Sequence, residues 1–254
     1  MTSATRTPTG PSPCCKASWS EARGYCLPTR RSAARCTASG TSGSGRATSW
    51  TRTRCARKKP CIGRLIRGLP RRSVVLAEDE TDLLLLPPLR AGWSLRGEPA
   101  EVHISGRNAR RVVFGAMNLS TGTRLLLPPP KGRAANFQAF LREVRRHYRG
   151  WHVAMLRDED PSHTAKGSLR AAEGMTLMWL PKRAPELNPM DTLWGQAKDV
   201  IAANKQYATI DDQVDRFLNH LLGMSGREAL HTSGVRSDDF WLKAVLSKDF
   251  CGPA

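Results

Sequence analysis

The chain has 254 residues, room for one large domain or two small ones, and a formal net charge of +18. Its longest aliphatic run, Leu83 to Leu86, is far too short to cross a membrane, and no apolar stretch follows the start to act as a secretory leader. Such a balance excludes a membrane-spanning chain and predicts an acidic partner, nucleic acid first, in a cytoplasmic, thiol-reducing setting.

The charge is unevenly spread. Residues 1–72 hold 16 Lys and Arg against Glu21 alone, whereas residues 73–254 hold 24 basic against 21 acidic residues. Between Thr2 and Pro60 there is no Val, Ile or Phe, and the only Leu is Leu27. So little apolar surface cannot offset the entropy of ordering. Residues 1–61 are therefore expected to be a disordered, low-complexity basic segment. The tract Gly40-Thr41-Ser42-Gly43-Ser44-Gly45 has neither the Lys-Ser/Thr nor the strand of a phosphate loop. Six of the seven cysteines lie here, with no CxxC pair, and the first histidine is His103, so no zinc set is formed.

From Ile62 the texture becomes that of a globular domain, expected over residues 62–254. Ser73–Asp79 reads as a buried strand. Pro87–Ser105, with Gly92, Gly97 and Pro99, reads as a loop and irregular hairpin. Arg111–Leu119 and Thr123–Leu127 flank Ser120-Thr121-Gly122, a hairpin turn. Ala135–Arg149 sets Phe137, Phe140, Leu141, Val144 and Tyr148 on one helical stripe. Trp151–Asp158 is a strand, Ser162–Glu173 a short helix closed by Gly174, and Met175–Leu180 a further strand. Asn188–Asn204 and Ile210–Gly223 are amphipathic helices, the first facing inward with Leu193, Trp194, Ala197, Val200 and Ile201. Early strands followed by alternating helix and strand predict an α/β domain, a mixed sheet with helices on its faces.

Three aspartates stand where such a sheet gathers ligands. Asp79 and Asp158 each close an apolar run, and Asp191 lies just inside a helix that begins near Asn188. Neighbouring strand ends and a helix start can bring three distant carboxylates to one point. Hard oxygen donors select Mg²⁺ or Mn²⁺ over zinc. Two such ions roughly 3.5–4 Å apart can stabilise the attacking and leaving oxygens of an in-line displacement, the chemistry of phosphoryl transfer. Singly, an aspartate after a strand is ordinarily a turn or cap residue. Glu80 and Asp82 read either as supporting groups or as solvated charges, and His163 as a ligand-orienting, DNA-contacting or structural residue. Trp93 and Trp194 read as core anchors more readily than as stacking platforms.

From about Ile62 to Trp241 the chain resembles bacterial insertion-sequence transposases of the mariner-like superfamily, which carry a DDE endonuclease domain of ribonuclease H-like fold. Three stretches carry the resemblance. Glu78-Asp79-Glu80-Thr81 is followed by Pro87-Pro88-Leu89-Arg90-Ala91-Gly92-Trp93. Asp158 is followed five residues later by His163. Leu180-Pro181 leads through Pro185-Glu186-Leu187-Asn188-Pro189 to Leu193-Trp194. Arg111–Gly122, with Phe114-Gly115-Ala116 and Asn118-Leu119, matches as well.

The resemblance implies a catalytic, metal-binding triad of Asp79, Asp158 and Asp191 holding two Mg²⁺ or Mn²⁺ ions. It further implies double-stranded DNA as partner, both transposon ends and target, and a homodimer on DNA. Many relatives have Glu at the third position and Asn after the second aspartate, where this chain has Asp191 and Glu159. Relatives also begin with helix-turn-helix domains that residues 1–60 do not resemble. An Arg-, Ser-, Thr-, Cys- and Pro-rich stretch without aliphatics is what a GC-rich gene yields when read out of frame. The first segment is therefore expected to be frameshifted or truncated. The other functions compatible with the sequence are a catalytically incompetent transposase remnant and a basic nucleic-acid-binding protein without chemistry.

Overall fold

The computed structural model describes residues 49–91, 101–129, 134–159, 164–182 and 184–246. Most of the expected disordered segment and residues 92–100 of the expected Pro87–Ser105 loop lie outside these residues, as do Trp93, Asp160 and His163.

The first described element is a helix, α1 (Ser49–Arg67), which crosses the boundary expected at residue 61. The absence of aliphatics before Pro60 had predicted no regular structure there. The helix is anchored from its other end: Ile62 and Ile66 are buried in the core, and Lys58 Nζ donates to the Leu180 carbonyl at 3.2 Å. Once packing fixes a nucleus, further turns propagate at low cost.

A five-stranded mixed sheet follows, built from β1 (Ser73–Leu84), β2 (Arg110–Asn118), β3 (Arg124–Leu127), β4 (His152–Arg157) and β5 (Thr176–Trp179). Its spatial order is β3-β2-β1-β4-β5. The first three strands form an antiparallel meander, and β4 and β5 continue parallel to β1. The expected hairpin is present: Gly122 turns it at a φ of 74°, and a Cβ there would come within 2.1 Å of the Gly226 carbonyl oxygen. Only glycine fits both demands.

Strand β1 runs five residues further than the sequence predicts. Asp79 does not end it. Thr81 and Leu83 are buried while Glu80, Asp82 and Leu84 are exposed, so alternation continues past the charges. Ladder partners on β2 persist to Leu84↔Arg110. The antiparallel neighbour thus outlasts the parallel one, whose pairing with β1 stops at Ala77↔Leu156.

Two cores fill the two faces of the sheet. On one, Val74, Leu76, Phe114, Val153, Met155 and Leu177 pack against α2 (Ala134–His147) through Phe137, Phe140, Leu141 and Val144. Each such side chain contributes about 1.5–3 kcal/mol when fully buried. A short helix, α3 (Lys166–Ala171), lies against α2, and Gly174 follows it at a φ of 82°. On the other face, Val75, Ala77, Val113, Met117, Ala154 and Leu156 meet α4 (Pro189–Ile201), α5 (Ile210–Gly223), α6 (Gly226–Thr232) and α7 (Lys243–Leu246). Among the described residues no helix is long and apolar enough to cross a membrane.

Candidate active site

The parallel register places two of the aspartates. The β1–β4 ladder ends at Ala77↔Leu156, and two steps further along the same register Asp79 stands level with Asp158. Alternation then fixes their face: Asp79 follows Val75 and Ala77, and Asp158 follows Ala154 and Leu156, toward the α4–α5 core. On the other flank of β1 the partner of Asp79 is Gly115.

The third aspartate is delivered by the start of α4. Asn188 caps this helix, its Oδ1 accepting from Met190 N at 3.2 Å, and Pro189 occupies the first helical turn, where its missing N–H costs nothing. The other end of the same amide reaches the sheet, Asn188 Nδ2 donating to the Glu78 carbonyl at 3.0 Å. One side chain thus ties the helix N-terminus to the peptide next to Asp79. Asp191 sits in that first turn, where the helix dipole favours an anion. One turn later Trp194 is buried and stacks on Phe217 with ring centroids 5.8 Å apart.

The three charges act on one another. The Asp79 carboxyl is pushed up to about 8, first by burial, then by the negative charges of Glu78, Asp158 and Asp191. A carboxyl so costly to ionise calls for a counter-charge. Part of one is Lys198, two turns after Asp191 on α4. Burial lowers its pKa, against the opposing pull of Asp82, Asp191 and Asp79. Among the described residues its ammonium makes no hydrogen bond or ion pair.

Hard oxygen donors that repel one another fit a divalent cation such as Mg²⁺ or Mn²⁺ better than any soft metal. Among the described residues no three His, Cys, Asp or Glu side chains are yet gathered as an ion cage. The carboxylates are neighbours in register and in field.

Of the other residues singled out in the sequence, Asp82 pairs with Arg110 at 2.7 Å on the surface, Glu80 is exposed, and Trp194 is a core anchor. Sequence reasoning missed Arg157. It and Glu78 are both fully buried, with Arg157 Nε 3.5 Å from Glu78 Oε2. The guanidinium also lies over the rings of Phe137 at 4.3 Å and Trp179 at 5.3 Å. The signal was available: each charged residue directly precedes a candidate aspartate and ends an otherwise apolar run. Lys198 was also missed, although it lies seven residues after Asp191, the spacing that returns to the same helix face.

A parallel β1–β4 pair at the centre of a five-stranded mixed sheet, beside an antiparallel meander and with helices on both faces, is a ribonuclease H-like fold. Residues 74–213 match the family model described as DDE superfamily endonuclease, and the chain belongs to that family. It is 26% identical over 140 residues to the insertion element IS630 uncharacterized 39 kDa protein of Shigella sonnei, a match covering 54% of this chain and 41% of that protein. The chain thus matches less than half the length of that relative. In fold it is similar to the Mos1 transposase paired-end complex with left transposon end, with a TM-score of 0.57 and 18% identity over 85% of this chain and 67% of the other. It is similar also to the Mos1 mariner paired end complex with Mn, with a TM-score of 0.58 and 17% identity over 85% and 67%.

Proposed function

We propose that this chain is the catalytic part of an insertion-sequence transposase, cutting DNA strands at the element's ends and joining the freed ends to target DNA. Asp79, Asp158 and Asp191 would hold two Mg²⁺ or Mn²⁺ ions. When bound, the ions activate the attacking oxygen and offset the charge that develops on the phosphate and the leaving oxygen. The observation that supports the reading is that Asp79 and Asp158 follow the last rung of a parallel strand pair at the same register position, while Asn188 ties the start of the Asp191 helix to the peptide next to Asp79.

The residues of the chain divide the work. Asp79 lies on the central strand, paired with β2 on one side and just past the last rung to β4 on the other. Asp158, just past β4 and exposed, would meet the incoming ion and phosphate from the neighbouring strand end. Asp191 closes the group from the helix, and Lys198 presents its ammonium to the same cleft. The DNA held as transposon end in the Mos1 complex, and the Mn named in the other, support DNA as substrate and divalent metal as cofactor. Double-stranded DNA is then the partner, with a homodimer as the acting form. The catalytic domain would occupy residues 62–254, in the cytoplasm where the DNA is reached.

A Mg²⁺-dependent nicking and strand-transfer assay on the full chain, using DNA that carries the element's ends, tests this. Cleavage is expected in the parent and is expected to be lost in Asp79→Asn, Asp158→Asn and Asp191→Asn. Asp160→Asn, outside the described residues, should cost tenfold or less, about 1.4 kcal/mol on the barrier. A folded parent that binds DNA but never cuts it would leave a catalytically incompetent remnant as the better reading.

A further inference from the structure

The β1–β4 backbone ladder stops two residues short of the candidate site. Its last rung is Ala77↔Leu156, and the two carboxyl groups, Asp79 and Asp158, stand two residues beyond, where no backbone rung ties the strand ends together. Between the last rung and the aspartates lies one register position, and it is filled by Glu78 and Arg157. We propose that Glu78 and Arg157 form a positioning pair, a buried cross-strand clasp that takes over from the backbone ladder and holds Asp79 and Asp158 level for the incoming metal.

Three observations support a role beyond stability. First, the pair is an expensive way to fill a core. Both side chains are within 1% of full burial, and Arg157 Nε lies 3.5 Å from Glu78 Oε2, longer than a tight charge-assisted bond. A buried ion pair is commonly matched or bettered in stability by apolar residues of similar volume, and the surroundings here are apolar: Leu76, Met155 and Leu177 on the same face of the sheet. Second, the clasp is itself held. The Arg157 plane lies over Phe137 of α2 and Trp179 of β5, and the Arg157 carbonyl accepts from Leu180 N at 2.7 Å. On the other strand, the Glu78 carbonyl accepts from Asn188 Nδ2 at 3.0 Å. Every element that carries a candidate ligand therefore converges on this one position. Third, alternation puts the pair on the opposite face of the sheet from the aspartates, so it can fix their spacing without entering the cleft.

The proposal rests on the metal-site reading above, and Mn²⁺ binding to the full chain, without DNA, tests it apart from activity. The key variant replaces both partners, Glu78→Leu with Arg157→Met, which leaves net charge unchanged. It is expected to keep a thermal midpoint near the parent's while binding Mn²⁺ at least tenfold more weakly and cutting DNA at least tenfold more slowly. Either single replacement should lower the midpoint as well, because it leaves one buried charge alone. A folded double variant with Mn²⁺ affinity within threefold of the parent's would overturn the positioning role and leave the metal site intact. A parent that does not bind Mn²⁺ would overturn the metal site itself, and the clasp with it. Should the apolar pair not fold, Glu78→Gln with Arg157→Gln keeps the charge balance and similar bulk, and the same threefold criterion decides.

Discussion

Gly115 has no side chain because the indole of Trp194 occupies that space. A Cβ on Gly115 would lie 2.5 Å from two ring carbons of Trp194 and 2.8 Å from Met190 Cε. Gly115 is also the ladder partner of Asp79. The Trp194 ring of α4 thus rests directly on the strand beside Asp79, and this contact together with Asn188 seats the Asp191 end of the helix against the sheet.

Gly115→Ala is accordingly expected to push α4 outward. Overpacking of this kind costs about 1–3 kcal/mol. Urea unfolding should show the loss, and Mg²⁺-dependent cleavage should fall further than the lost stability explains. A parent-like urea midpoint would show that α4 is seated by other contacts.

Asn188 has two separable jobs, capping α4 and donating to the Glu78 carbonyl. Asn188→Ala removes both and should cost about 1–2 kcal/mol from the cap alone. Asn188→Asp keeps the cap but has no N–H to give. It should stay closer to the parent in thermal midpoint than the alanine variant, yet cleave as poorly. Full cleavage in Asn188→Asp would mean that the tie to β1 does not place Asp191.

Much of this site was legible in the sequence, and its limits have physical causes. Asp79 and Asp158 stood out because each ends an apolar run, Asp191 because it lies just inside a helix start, and the hairpin and α5 because turn chemistry and helical period are local signals. The end of β1 was misread because Glu78-Asp79-Glu80 resembles a strand terminus, although Thr81 and Leu83 keep the inward alternation. Helix α1 was missed because its anchor, the contact of Ile62 and Ile66 with the core, is tertiary. The Glu78–Arg157 pair needed the β1–β4 register, which no single run of sequence contains.

Asp79 should give the metal-free protein a marked pH dependence. Its folded value of about 8 lies above the ordinary 3.8, so the folded chain keeps a proton that the unfolded chain releases. The contribution of this group to stability is then fullest below pH 3.8 and is lost as pH rises toward 8. Without divalent ions, the thermal midpoint of the parent should fall between pH 5 and pH 8 relative to that of Asp79→Asn. Saturating Mg²⁺ should narrow the gap, since the ion favours the folded state by mass action. A constant difference between the two proteins across this range would contradict the crowding of Asp79 by its neighbours.

Lys198 is expected to meet the phosphate backbone once metal offsets the carboxylates beside it. Lys198→Ala should weaken DNA binding and make the slope of log affinity against log salt shallower by about 0.9, while Lys198→Arg should retain the slope. An unchanged slope in the alanine variant would remove this lysine from the DNA-contacting set.

The alternation along β1 and β4 also polices their alignment. If β4 slid by one residue against β1, its side chains would exchange faces. Asp158 would be driven among Phe137 and Trp179, and Arg157 would turn into the cleft against Asp79. Neither placement is tolerable, since one buries an unpaired carboxylate and the other destroys the acidic group. The order of charges, acid then acid on one strand and base then acid on the other, makes the misaligned sheet far less stable than the aligned one. A chain able to complete this fold therefore carries its acidic pair on the correct face, and the dipeptides Glu78-Asp79 and Arg157-Asp158 act as its keying teeth.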